Sequence, residues 1–372
     1  LVVFQFTISV FLIVATIVVF KQLDFIQGKD LGFSKDQVLI VNDVYGARDK
    51  ADVFKQEVLK LPQVEHASLS SFLPTPSSRS DTSFYREGYT EQENAINMQK
   101  WRVDYDYLAT LDIKLIAGRD FSQQRATDST AIIVNETAVS ILGVQPEEAL
   151  GMRLSDDLGD ESGTFFTVIG VVENFHFSSL KNDIGALSLR VAKSTGNMAI
   201  KLKAGDFSNS VAEIEQVWKR MVPEQPFAYS FMEDSFNNTY KSEQRLGHIF
   251  IIFTILSIFI ACLGLFGLAA FNAEKRTKEI GVRKVLGASV SQISYRLTID
   301  FLKLVGIAIL ISLPIGWFAM NKWLEDFSYR IEISWWVLAL AGFLAIAIAI
   351  ITVSYQSIKA AIVNPVKSLR TE

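Results

Sequence analysis

The chain has 372 residues, 49% hydrophobic and 20% charged, with a formal net charge of −4 and a mean hydropathy of +0.26. So much apolar residue beside an ordinary charge content means that the apolar residues are gathered in blocks, and without a basic excess nothing engages nucleic-acid phosphates. The single cysteine, Cys262, rules out an intrachain disulfide and reads as a small buried hydrophobe inside an apolar run.

Residues 1–20 carry no charge and have the length of a membrane span. They lack the basic n-region, shorter core and small-residue cleavage site of a signal peptide. The chain opens on Leu1, which reads as a piece of something longer. Three further apolar blocks follow at 249–271, 301–320 and 333–358. The division expected is a first span at 1–20, an extracytoplasmic domain at 21–246, a second span at 247–272 and a cytoplasmic loop at 273–296. A third span at 297–321, a short outer loop at 322–332, a fourth span at 333–358 and a tail at 359–372 complete it. Basic residues crowd the loop after the second span and recur in the tail as Lys359, Lys367 and Arg370, so both termini are expected in the cytoplasm. Trp317, Trp323, Trp335 and Trp336 fall at the expected outer interface and Tyr355 near the inner one.

The domain between the first two spans reads as α+β. A strand at 38–41, a helix at 51–61 ended by Pro62 and a strand at 66–71 make a β-α-β unit. A strand at 198–202, a helix at 211–221 and a strand at 227–231 repeat that order. Two such units around a middle portion predict a ferredoxin-like module with an insertion. The insertion holds strand candidates at 98–103, 131–134 and 165–172, and mobile loops are expected at 73–80 and 155–163.

Chemistry-bearing motifs are sparse. There is no G-x-x-x-x-G-K-[ST] phosphate loop and no G-x-S-x-G elbow. His66, His176 and His248 lack metal-ligand spacing. His176, between Phe175 and Phe177 with Glu173 nearby, admits an orienting carboxylate, although a strand running into a turn is the plainer reading. Asn135-Glu136-Thr137 and Asn237-Asn238-Thr239 match the glycosylation sequon by coincidence. The spans hold almost no ionisable residue, which argues against a proton or ion pathway. Gly264, Gly267 and Ala270 recur at spacing three on the second span and are candidates for close helix packing.

The densest signal is the run from Glu274 to Ser289. Lys275, Arg276, Lys278, Arg283 and Lys284 place five cations in ten positions, beside Glu274 and Glu279. Val282, Leu286, Val290 and Ile293 form one apolar stripe at helical spacing, while Glu274 with Lys278 and Glu279 with Arg283 support a helix at i, i+4. Gly281 and Gly287 weaken that helix and mark bends or close contacts. By itself the run admits two roles: a juxtamembrane helix held by anionic lipid, or a docking element for a cytoplasmic partner.

The run Glu274-Lys275-Arg276-Thr277-Lys278-Glu279-Ile280-Gly281-Val282-Arg283-Lys284-Val285-Leu286-Gly287-Ala288 resembles the cytoplasmic loop of FtsX-like permeases of bacterial ABC transporters. The preceding domain resembles, in layout, a MacB-type periplasmic core. The resemblance implies an inner-membrane permease subunit that is no enzyme itself. It implies a separate ABC ATPase binding ATP and Mg, and mechanotransmission through a coupling helix. It places the ATPase contact at Lys275, Arg276, Glu279, Ile280, Arg283, Lys284, Leu286 and Gly287. A second permease copy or the other half of a longer chain, membrane lipid and a periplasmic adaptor are the further partners implied. The substrates of such families span antimicrobial peptides, macrolides and lipoproteins. A membrane receptor sensing a ligand through the outer domain is the alternative, against which the tail after residue 358 is short for a signalling domain.

Overall fold

A computed structural model describes residues 1–75, 77, 79–88, 95–157, 164–194 and 196–362, with the side chains at 48, 277–278, 284–285, 290–291, 293, 297, 357 and 359–362 left aside. In chain order the elements are α1 (Val2–Gly28), β1 (Val38–Val41), α2 (Ala51–Val58), β2 (Val64–Ser70), β3 (Asp81–Arg86), β4 (Ile96–Val103), α3 (Tyr107–Leu111), β5 (Leu115–Gly118), β6 (Ala131–Asn135), α4 (Glu136–Leu142) and α5 (Pro146–Ala149). They continue with β7 (Arg153–Ser155), β8 (Phe165–Val172), β9 (Leu187–Val191), β10 (Asn197–Leu202), α6 (Phe207–Met221), β11 (Tyr229–Phe231), α7 (Met232–Asn238), α8 (Lys241–Lys275), α9 (Thr277–Val285), α10 (Val290–Leu324) and α11 (Trp335–Ile362). Two compact units result: a helical unit of 1–28 with 241–372, and an α+β unit of 29–240.

The α+β unit has two cores. In the first, strands run in the order β11-β1-β10-β2, every neighbour antiparallel. Helices α2 and α6 cover it, burying Phe54, Val58, Ile214 and Trp218 against Leu39, Val41, Met198 and Ile200. Asp206 caps α6 by accepting from the Ser208 and Asn209 amides, a cap that stabilises a helix by about 1 kcal/mol. In the second, pairings run β3–β4–β9–β6–β8–β7 and back to β3, so six strands close into a ring. Alternate residues Ile132 and Val134, Phe166 and Val168, and Ile96 and Met98 fill it, as closure with inward alternation requires. Of these strands only β4, β6 and β8 are among those expected from the sequence. β3, β7 and β9 lack regular alternation and gain their pairing from the closed ring.

The two cores meet where Ser70 of β2 pairs with Val103 of β4. Buried Lys55 of α2 reinforces the junction, donating to Asp104 Oδ2 at 2.7 Å and Asp106 Oδ2 at 2.5 Å. Burial disfavours its charge, but the Asp104 and Asp106 carboxylates together outweigh this and the Lys55 pKa is raised. Asn135, the first half of one sequon, is buried: it caps α4 through Ala138 and donates to Asn174 and the Gly185 carbonyl. That is a structural task which leaves no exposed amide to modify.

In the helical unit, four helices are long and apolar enough to cross a membrane. They overrun the apolar blocks that announced them: α1 continues to Gly28, α8 starts at Lys241, and α10 starts at Val290, inside the stretch expected to be loop. Residues 363–372, with Lys367 and Arg370, lie outside the described residues. Helix α1 packs against all three others. Its Val2, Phe6 and Val10 meet Ala261, Leu265 and Ala269 of α8, Phe301, Val305 and Ala308 of α10, and Ala345, Ala349 and Val353 of α11. Small residues, Ala345 and Ala349 at spacing four on α11 and Ala261 and Ala269 flanking Leu265 on α8, permit the approach where no hydrophobic drive separates helix from lipid. The packing stripe expected at Gly264, Gly267 and Ala270 holds only at Gly264. A Cβ there would stand 2.5 Å from Gln5 Oε1, whereas Gly267 faces open space and Ala270 is half-buried. Spacing three drifts about 60° per step around a helix of 3.6 residues per turn, so three such positions cannot share one neighbour. Gly247 against Phe20 and Gly316 against Val14 make the other close approaches.

Candidate partner-docking site

Helix α9 lies between α8 and α10 at the end of the bundle that also holds Leu1, because α8 runs antiparallel to α1 (Ser9 meets Ser257, Thr16 meets Thr254) and α10 runs parallel to it (Ser312 meets Thr7, Gly316 meets Val14). The opposite end holds Gly28, Lys241 and the loop 325–334. Trp335 and Trp336 stack at 4.0 Å, and Trp323 packs on Phe327 at 5.1 Å, at that opposite end. Tyr355 stacks on Phe266 towards the α9 end.

The single amphipathic helix expected through 282–293 is two helices. Gly287 takes φ +91°, and the Ala288 amide donates to the Arg283 carbonyl at 3.0 Å, closing α9 in a Schellman cap. Ser289 then caps α10, its Oγ accepting from the Gln292 amide while Gln292 Oε1 accepts from the Ser289 amide. The stripe is therefore divided, Val282 on α9 and position 290 on α10. The Ser289-x-x-Gln292 box was the signal in the sequence that a new helix begins.

The site residues separate by what they touch. Ile280 turns inward and is buried, whereas Leu286 at the end of α9 is 80% exposed. Arg276 reaches Asp300 of α10 at 3.1 Å, and Glu279 pairs with Arg283 at 2.7 Å, the i, i+4 pair expected. Lys275 lies over the Phe271 ring at 4.9 Å. The side chains of Lys278 and Lys284 lie outside the described residues. Between α9 and the first turns of α10 is an open groove of about 840 Å³, lined by Arg276, Arg283, Leu286 and Gly287 from one side and Tyr295, Arg296 and Asp300 from the other. Tyr295, 67% exposed, and Arg296 belong to α10 and were not among the site residues expected. A surface with two exposed apolar side chains beside three guanidinium groups and two carboxylates suits protein contact.

His176 offers no competing centre. Its backbone amide donates to the Leu31 carbonyl at 2.8 Å. Burial, helped by Lys29, pushes the imidazole down to about 4. The Glu173 carboxylate pairs instead with Lys114 at 3.8 Å. Among the described residues no cluster of His, Cys, Asp or Glu is arranged to hold a metal ion.

Residues 251–365 match the family described as FtsX-like permease C-terminal. The macrolide export ATP-binding/permease protein MacB of Escherichia coli is 24% identical over 319 residues, 82% of this chain and 47% of that protein. A probable export ATP-binding/permease protein of Pseudomonas fluorescens is 24% identical over 225 residues, 57% of this chain and 34% of that one. The chain thus spans about half the length, or less, of the curated relatives it matches. Among solved structures, the periplasmic region of MacB from Actinobacillus actinomycetemcomitans aligns with a TM-score of 0.39 at 13% identity, over 56% of this chain and 94% of that one. The extracellular domain of the noncanonic ABC-type transporter YknZ from Gram-positive bacteria aligns at 0.34 and 14%, over 48% and 87%. The loop motif, the membrane helices and the relatives along most of the chain agree: its C-terminal part matches the FtsX-like permease family, and the chain as a whole is similar to MacB-type ABC transporter permeases.

Proposed function

We propose that the chain is the transmembrane part of a bacterial ABC transporter in the inner membrane, with the α+β unit in the periplasm and α9 and both chain ends in the cytoplasm. In this reading it hydrolyses nothing itself. ATP and Mg are bound by a partner ATPase seated on the α9–α10 groove, and the chain converts that partner's cycle into a change in the α+β unit. A second copy, or the other half of a longer chain, supplies the symmetric permease. The four-stranded core, ordered β11-β1-β10-β2 with two helices, is a ferredoxin-like module, and the six-stranded ring is its insertion. The substrate class, whether peptide, macrolide or lipoprotein, is set at the periplasmic unit.

One observation carries the docking claim: Leu286 is almost wholly exposed at a rigidly capped helix end, beside a basic groove. An apolar anchor held there without cover at the cytoplasmic end is the arrangement of an interface hot spot. Co-purification of the detergent-solubilised chain with an ABC ATPase tests it. Leu286→Asp is expected to remove the ATPase from the complex, and retention through substitutions across 275–288 would overturn the reading.

A further inference from the structure

Gln22, in the last two turns of α1, is fully buried, and both ends of its amide are used. Its Nε2 donates to the Tyr329 carbonyl at 2.9 Å, and its Oε1 accepts from the Ile331 amide at 2.9 Å. One side chain thus satisfies two main-chain groups of the loop joining α10 to α11. In an apolar setting such groups are expensive to leave unpaired. Below it, Gly316 of α10 is so close to α1 that a Cβ there would stand 3.5 Å from the Val14 Cβ. Lower still, Ser312 Oγ donates to the Thr7 carbonyl at 2.8 Å. Positions 7, 14 and 22 of α1 are about two turns apart and lie on one face, so the joins run the length of the helix. The seam between α1 and α8 is of another kind. Two hydroxyl pairs, Ser9 with Ser257 at 2.8 Å and Thr16 with Thr254 at 3.0 Å, join the close approaches of Gly247 to Phe20 and Gly264 to Gln5. Gln5 Oε1, against Gly264, is buried with no hydrogen-bond partner among the described residues.

We infer that Gln22 pins the 325–334 loop to α1, so that α1 and the α10–α11 hairpin move as one body. The pin stands on geometry alone; only the motion rests on the coupling function proposed above. The first test is hydrogen exchange on the full chain in lipid nanodiscs. Gln22→Met keeps the side-chain volume and removes both bonds, and is expected to speed exchange of the Ile331 amide at least tenfold while α8 is unchanged. Gln22→Glu, which keeps the acceptor and loses the donor, falls between, and it decides the matter if the Met variant does not fold. Exchange at Ile331 equal to wild type in the folded variants would overturn the pin. The second test is a Val14→Cys/Gly316→Cys disulfide in a Cys262→Ala background, feasible because the Cβ separation lies within the disulfide range of about 3.5–4.5 Å. With the ATPase bound, the cross-linked protein is expected to keep the nucleotide-dependent exchange change in residues 29–240 within twofold of the uncross-linked form. Its loss would overturn the one-body claim. If the uncross-linked protein shows no such change, the coupling function fails instead, and exchange at Ile331 alone decides the pin.

Discussion

The two ends of the helical unit are built to opposite rules. At the 325–334 end, Leu324 and Phe327 are buried, Gln22 binds the loop's main chain, and tryptophans ring the helix ends. At the α9 end, Leu286 and Tyr295 stand in the open and the charges pair in pairs exposed to solvent. A buried polar side chain with every bond made resists change, because breaking one bond leaves an unsatisfied group. An exposed apolar anchor waits for something outside the chain to cover it. One end is therefore finished within the chain, and the other leaves apolar side chains uncovered by it.

The comparison is broken most forcefully at Leu286. Leu286→Asp places a carboxylate where an apolar anchor should bury, and an interface hot spot of at least 2 kcal/mol predicts a fall in ATPase affinity of about thirtyfold or more. Pull-down titration of the complex checks it, and the melting temperature of the permease alone should stay within a degree. The cap is the next target. Gly287→Val forces a β-branched side chain to φ +91°, at about 1–3 kcal/mol, which should loosen α9 and weaken docking. Gly287→Asn should do so less, since Asn tolerates the left-handed region better.

A pH titration separates the helical unit from the α+β unit. Neutral, buried His176 has a pKa of about 4 against 6.5 when unfolded, so between those values the unfolded chain binds more protons. Stability from this residue is complete above about pH 6.5 and is lost as pH falls towards 4. Thermal unfolding followed by tryptophan fluorescence should show that loss, and His176→Phe should reduce it. The smallest effect belongs to the open end. Arg276→Gln removes an exposed pair with Asp300, worth about 0–1 kcal/mol, so the melting temperature should barely move. A marked loss of ATPase binding in the same variant would place Arg276 in the contact.

Apolar length wrote the four membrane helices into the sequence, since about twenty uncharged residues have no other stable use. The apolar run at 38–41 and the helical spacing before Pro62 marked the first β-α-β unit, and the charge-dense run with its family resemblance marked the candidate docking region. Glu279 and Arg283 found each other as spacing demanded. Much else was illegible for a physical reason. The six-stranded ring depends on partners as far apart in the chain as Gln99 and Leu187, and β3, β7 and β9 do not alternate between buried and exposed residues, so they show no period. Gly267 and Gly264 look alike in sequence, yet only the fold brings Gln5 to one of them.

Sequence alone therefore determined which segments are long and apolar enough to cross a membrane and which short run is dense in charge, because transfer free energy and charge are local properties of a segment. Tertiary structure decided what α1 holds, that α9 stops at Gly287, and that Tyr295 and Arg296 share the groove. Those facts belong to pairs of distant residues, and a buried bond such as Gln22 to Ile331 exists only once both helices are in place.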